Sequence, residues 1–373
     1  MKYRNISPLT FVLISALFLC VACEEQEPVS SKTASQDHKL FLNSDFGPYA
    51  GLPIISVDSP QNSYNQLKNV PKYNGDINVL FLNSQLSKWD NAKVLKLLRE
   101  NSKILPRLLQ ASQNPYCCPP RTKHWDDLRP HTISWRVISR LMSLNAEYFL
   151  RNNQHDDGIA MLRANARLAA GMFCYPADTW DLIVASSVVK MQLEVLYRLY
   201  KAGWISKSEC AGVANYLPDK SHYGKALPYV MAGKYATALD MVDLIREEKS
   251  GVVPIHLFGE DEMAVLKKIN RERFVEFLIS EMNHITETLD KNGDYSFDSG
   301  RYPDIQEPEK LMLSMAFYHY PAILRRLGDN NAKVMAMRKL VKNDSVNPKK
   351  QDRIRQIQPE GYSEEQKRVP VTQ

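Results

Sequence analysis

The sequence predicts an all-α fold: an irregular array of antiparallel helical hairpins. Three observations carry that expectation. Apolar residues recur at helical spacing along most of the chain. Helix-start signals stand before those runs, as in Ser206-Lys207-Ser208-Glu209, an N-cap serine with an acid three residues on. Hardly any stretch alternates with period two, so a sheet is not expected. The one strand-like run, Ile77 to Leu82, is too isolated to build one.

Taken in order, residues 41–76 carry four prolines and three glycines and read as irregular, with one short helical turn around Asn62 to Lys68. Ser87-Lys88-Trp89-Asp90 reads as a helix start. The helix after it runs to about Ser112, and Pro106 should kink or split it. A proline-rich loop follows over 114–130. Helical periodicity returns over Thr132 to Arg151, then from an Asp156 cap to Met172, then over Thr179 to Tyr200. The Ser206 box opens a helix that stops before Pro218. Further helices are expected at Lys234 to Glu248, Glu260 to Leu289, Glu309 to Leu327 and Asn330 to Lys342. The organisation read from this is a leader over 1–22, a flexible tether over 23–45, a helical domain over 46–343 and a disordered basic tail over 344–373. Two subdomains are allowed, with a boundary near 218–230.

Short connections suit antiparallel hairpins. The stretch Met231-Ala232-Gly233-Lys234-Tyr235-Ala236-Thr237-Ala238-Leu239 resembles the junction signature of tetratricopeptide-type repeats. No period of about 34 residues recurs, so tetratricopeptide-like packing is expected without a regular solenoid.

The leader has the anatomy of a signal peptide. Lys2 and Arg4 are followed by an uncharged run from Leu9 to Val21, too short to span a bilayer, which takes roughly 20 residues. Cys20-Val21-Ala22-Cys23 then resembles the lipobox of bacterial lipoproteins. That resemblance implies cleavage after Ala22, a diacylglycerol thioether on Cys23 and an acylated new amino terminus. Glu24, where Asp would be the retention signal, goes in such lipoproteins with sorting to the outer membrane, facing the periplasm, if the source has two membranes. Several acyl chains on one residue anchor stably, each buried CH₂ adding about 0.8 kcal/mol.

The charge balance must be placed before it is interpreted. The chain of 373 residues carries 48 basic and 42 acidic residues, or +6. Lys2 and Arg4 leave with the leader, and residues 338–373 hold nine basic and five acidic residues, so residues 23–337 are neutral overall. The basic excess belongs to the two ends, and a nucleic-acid partner is not expected.

Four cysteines remain beyond the leader: Cys117, Cys118, Cys174 and Cys210. In an oxidising envelope, one of the adjacent pair could bridge to Cys174 or Cys210; buried thiols and metal or redox work are the alternatives. Asp290, Asn292, Asp294 and Asp298 are spaced like the start of a calcium loop. Tyr295 stands where that loop turns on Gly, and Arg301 where its bidentate Glu belongs, so no metal site is assigned. Glu281-Met282-Asn283-His284 reads as a solvated helix face. His124, Trp125, Asp126 and His131 could line a cleft at the proline-rich loop. No nucleophile elbow, phosphate-cradling loop or cofactor motif is present, so no cofactor is expected.

From Asn91 to Leu217 the chain resembles a family of signal-bearing helical proteins of the bacterial cell envelope. The resemblance rests on Asn101, Cys118 with Pro119, Leu128, His131, Arg136, Asp156, Gly158, Ala160 and the stretch Asp178 to Val188. It implies the helical fold and no mechanism. The expectation is a lipid-anchored binding or scaffolding module with a protein or glycan partner in the envelope. An envelope hydrolase using His124 to His131 is the alternative.

Overall fold

A computed structural model describes residues 47–49, 52, 56–67, 75–121, 124, 127, 129–247, 260–292, 307–317 and 320–340. The leader, Cys23, the tether, the tail over 344–373, Trp125, Asp126, Asp294 and Asp298 lie outside the described residues. The helices are α1 (Tyr64–Leu67), α2 (Gly75–Gln85), α3 (Asn91–Glu100), α4 (Leu105–Ala111) and α5 (Pro130–Arg151). They continue with α6 (His155–Met172), α7 (Thr179–Lys201), α8 (Lys207–Ala214) and α9 (Lys220–Arg246). The last four are α10 (Glu260–Leu266), α11 (Arg271–Asn292), α12 (Pro308–Phe317) and α13 (Tyr320–Lys339). Among the described residues there is no strand, only one isolated bridge between Asn62 and Tyr116. The all-α expectation therefore holds.

The centre is the α5–α6–α7 meander, with α5 packed on both other helices. Trp135, Ile138, Leu141, Met142 and Leu144 of α5 are buried there with Ala166, Ala169, Ala185 and Val189. The small residues of α6 let neighbouring helices approach closely. Local chemistry sets the turns: Asn153 takes positive φ between α5 and α6, and Gly203 does so after α7. A polar seam runs through the centre, where Gln192 donates to the Asn165 carbonyl and side chain, both at 2.9 Å. Glu147, buried on α5, accepts from Arg151 at 2.8 Å and from Arg198 of α7 at 2.6 Å. α2, α3 and α4 flank this meander; α8 and α13 pack on α7, and α9 packs on α7 and α11.

Several expectations shift. Ile77 to Leu82 lies inside α2, a helix that buries Ile77, Leu80, Phe81 and Ser84 at helical spacing. The cap of α3 is Asp90, which accepts from Lys93 N at 3.1 Å, while Ser87 sits at positive φ. Pro106 does split its helix, into α3 and α4. The junction expected at 231–239 is the middle of α9, which starts at Lys220 with Asp219 as its cap. The boundary considered near 218–230 falls at that helix start. The long helix expected from Glu260 breaks before Arg271, where Asn270 caps Arg273 N at 2.9 Å. The break expected at Gly328 falls instead before α13, whose second residue is Pro321, a residue suited to a first turn.

Candidate functional site

Two regions gather polar side chains, and both are built on α7. The first is its N-terminus. Asp178 has extended backbone, and its Oδ1 accepts from Trp180 N at 2.8 Å and Asp181 N at 3.1 Å. Its Oδ2 accepts from Arg129 Nε. Asp181, one turn on, pairs through Oδ1 with His131 Nε2 at 2.7 Å and accepts from Ala177 N through Oδ2 at 2.8 Å. His131 is buried between Trp135, at 4.9 Å between ring centroids, and Tyr64, at 5.5 Å. Burial, then the Asp181 carboxylate, pushes Asp178 above the ordinary carboxylate range, with Arg129 opposing. Burial, helped by Asp181, pushes Tyr64 up to about 12. Lys234 of α9 is half-buried beside this cluster, and burial pushes its ammonium down to about 8.

The proline-rich loop crosses over that helix end. Asn62 clamps Cys118 by donating to its carbonyl and accepting from its N–H, both at 2.9 Å. Arg121 donates to the Pro176 carbonyl at 2.8 Å and lies over the Tyr229 ring at 4.9 Å. His124 is exposed on the loop; its Nδ1 meets Asp240 of α9 at 2.9 Å and its backbone N–H donates to Asp127 at 2.9 Å. Of the residues read as a cleft, His131 thus faces inward to Asp181 and His124 outward to Asp240. Sequence reasoning missed Arg129, Asp178, Asp181 and Lys234 as one cluster, with Asp178 and Asp181 buried and Arg129 and Lys234 half-buried. The available signal was Asp178-x-x-Asp181 ahead of an apolar helix, which reads as capping and nothing more.

All four cysteines are thiols in the structure. Cys117 N and Cys174 N both donate to the Gly171 carbonyl at 3.2 Å, so the loop pair and Cys174 share one corner. Cys210 lies on α8, and burial alone sets its thiol, pushing it up to about 11. Burial pushes Cys117 up to about 12 and Cys118 further still. Cys174 is also raised by burial, with Lys225 pulling back. These shifts keep the thiols protonated, the opposite of an activated nucleophile. Among the described residues, no group of three or more His, Cys, Asp or Glu could hold a metal ion. Asp290 and Asn292 belong to the last turn of α11. Glu281 is buried on that helix rather than on a solvated face, while His284 is exposed.

The second region is a groove of about 610 Å³ between α7, the start of α9 and α13. Leu182, Tyr223, Leu227, Leu327 and Met335 form apolar walls. Asp219, Lys220, Ser221 and Asn331 form a polar end. The first amides of α9 are already used there: Ser221 N donates to Asp219 at 3.0 Å and Lys220 N to Asn331 at 3.0 Å. Arg338 of α13 binds Asp219 at 2.7 Å. Burial would raise Asp219, but its bonds from Arg338, Ser221 and His222 hold it well below the usual carboxylate range. Gly224 opens the wall, since a Cβ there would meet nothing within 4 Å. Pro228 has no N–H to give the Gly224 carbonyl four residues earlier.

Comparison of the chain with protein-family models, curated proteins and solved structures gives no match. Among the described residues, no helix is long and apolar enough to cross a membrane.

Proposed function

We propose that the chain is a binding or scaffolding module of the bacterial cell envelope, anchored by lipid on Cys23, with its ligand seat in the groove between α7, α9 and α13. The groove carries this reading. Its volume of about 610 Å³ lies in the range of ligand sites, about 300–1,000 Å³, and apolar walls with a few polar groups at one end are the usual lining. The chemistry favours a peptide segment of a protein partner over a glycan. The walls are largely aliphatic, and Tyr223 is buried. The lipobox supports the anchor. A hydrolase at His131 has less support, because the ring is enclosed and both Asp181 oxygens are engaged.

Two experiments test this. Cys23→Ser should move the protein from membranes to the soluble fraction; unchanged retention refutes the anchor. A photo-crosslinker at Met335, exposed at the groove, should give a discrete adduct in native envelopes. Gly224→Trp fills the open wall and should remove that adduct. An adduct that survives the substitution refutes the groove as the seat.

A further inference from the structure

α2 is apolar on both sides. Its inner face buries Ile77, Leu80 and Phe81 where it packs on α5. Its outer face carries Val79, 58% exposed, and Leu82, 54% exposed. The Leu86 amide donates to the Leu82 carbonyl at 3.1 Å, which continues the helical turn past Gln85, and Leu86 is 58% exposed. Residues at i, i+3 and i+7 share one helix face, so the three side chains form a stripe. No other helix among the described residues exposes three large apolar side chains on one face. Single exposed apolar residues are ordinary, whereas a contiguous stripe marks a surface that meets something.

The chain that follows the stripe is basic. From Leu86 to Arg107 there are six basic residues and two acids, Asp90 and Glu100. Asp90 pairs with Lys93 at 3.1 Å and Glu100 with Lys96 at 3.9 Å. The excess is Lys88, Arg99, Lys103 and Arg107, all exposed. α3 packs on α5 beside α2 and turns Val94, Leu97 and Leu98 inward, so its charged side faces outward as the stripe does. The one acid on α2, Asp76, sits in its first turn, at the end away from Leu86.

Together these features choose an occupant. An aliphatic stripe bordered by cations matches acyl chains beneath anionic headgroups. A second copy of the chain fits poorly: a stable interface takes about 800 Å² per partner, more than three side chains offer, and the basic flanks would repel. The anchor supplies the encounter. Cys23 precedes Gly47, the first described residue, by 24 residues. At no more than about 3.6 Å per residue, the lipid holds the domain within roughly 90 Å of the bilayer.

We propose that the outer face of α2 docks the domain on an anionic lipid bilayer, with Val79, Leu82 and Leu86 at the acyl chains and the basic residues from Lys88 to Arg107 on the headgroups. The contact rests on the anchor reading for proximity alone, and it is independent of the groove.

The test uses the mature chain, residues 23–373, made with Cys23→Ser so that neither leader nor attached lipid contributes. Phosphatidylglycerol vesicles should sediment the protein, and phosphatidylcholine vesicles about tenfold less or weaker still. Leu82→Ser with Leu86→Ser, and separately Lys88→Glu with Lys103→Glu, should each weaken the phosphatidylglycerol partition about tenfold or more. All four side chains are exposed, so the urea midpoint should move little in either variant. In cells, a salt wash strips this contact but not an attached lipid, so fractionation of Cys23→Ser after the wash tests the anchor separately. The proposal is overturned if the chain does not bind phosphatidylglycerol. It is overturned too if the leucine variant binds as well as the native chain, which assigns the contact to another basic segment such as residues 344–373. A dimer in sedimentation velocity that the leucine variant loses also overturns it, because the stripe then belongs to a second copy.

Discussion

Gly233 is the position where a single methyl group tests the fold most sharply. It lies in the middle of α9 with no conformational need to be glycine. A Cβ built there would stand 2.0 Å from the Ala177 carbonyl oxygen, 3.0 Å from its carbon and 3.2 Å from Asp178 Cα. Ordinary carbon contacts sit at about 3.5–4.0 Å, so α9 must withdraw by more than about 1 Å. No rotamer can absorb this, because the obstacle is backbone. That backbone is also held in place: Ala177 N donates to Asp181, and Asp178 binds Arg129. Overpacking costs about 1–3 kcal/mol and occasionally more, while Ala regains about 1 kcal/mol of helix propensity over Gly. With backbone against backbone, the upper end of the cost applies, and Gly233→Ala should lose about 2 kcal/mol or more. Gly224→Ala, on the same helix with nothing within 4 Å, should gain about 0.5–1 kcal/mol. Urea unfolding of the three proteins gives both signs at once. A Gly233→Ala protein as stable as the native chain would mean that α9 does not rest on the turn before α7.

Asp181→Ala breaks the buried pair with His131 and strands Ala177 N, and should cost about 3–5 kcal/mol in the same assay; a loss under about 1 kcal/mol would show that the pair is not enclosed. The folded state holds Asp219 below its ordinary range, so this group stabilises the protein above the unfolded value of about 3.9 and loses that contribution as pH falls through the folded value. Arg338→Met removes the ion pair and should flatten the acid limb of the stability–pH curve; an unchanged limb would refute the pairing. In the reduced native protein, a maleimide should modify half-buried Cys174 before buried Cys117, Cys118 and Cys210; mass mapping that finds Cys210 first would contradict the packing of α8.

Much of the fold is legible because each central helix has a long amphipathic period and a chemically marked start. Ser206 with Glu209 forms the capping box that the spacing predicts. Pro106 divides α3 from α4 because it lacks an N–H and suits a first turn. Errors fall where local signals are ambiguous. A six-residue apolar run such as Ile77 to Leu82 has no period of its own, and only its packing on α5 makes it helical. Gly233 reads as a turn because glycine usually breaks helices; its purpose is close approach to residues 177–178, which no local pattern reveals. The break before α13 is decided by Pro321 and not by Gly328, since a helix tolerates Gly at a cost of only about 1 kcal/mol.

The sites are less legible than the fold for one physical reason: each depends on register between helices. His131 and Asp181 are 50 residues apart, and nothing local says that they meet. The groove needs Leu182, Leu227 and Leu327 from three helices, each unremarkable in its own run. Placement of α13 therefore decides the groove. It is fixed by polar anchors that sequence periodicity does not register: Asn330 on the Ser186 carbonyl, and Arg338 on Asp219 and the Ala214 and Leu217 carbonyls. Asn330 is buried, and removing its amide leaves the exposed Arg326–Ser187 bond to hold that level of α13 against α7. Asn330→Ala should therefore cost about 1–3 kcal/mol and weaken Met335 crosslinking. Full crosslinking in a destabilised Asn330→Ala protein would show that this anchor does not position the groove wall.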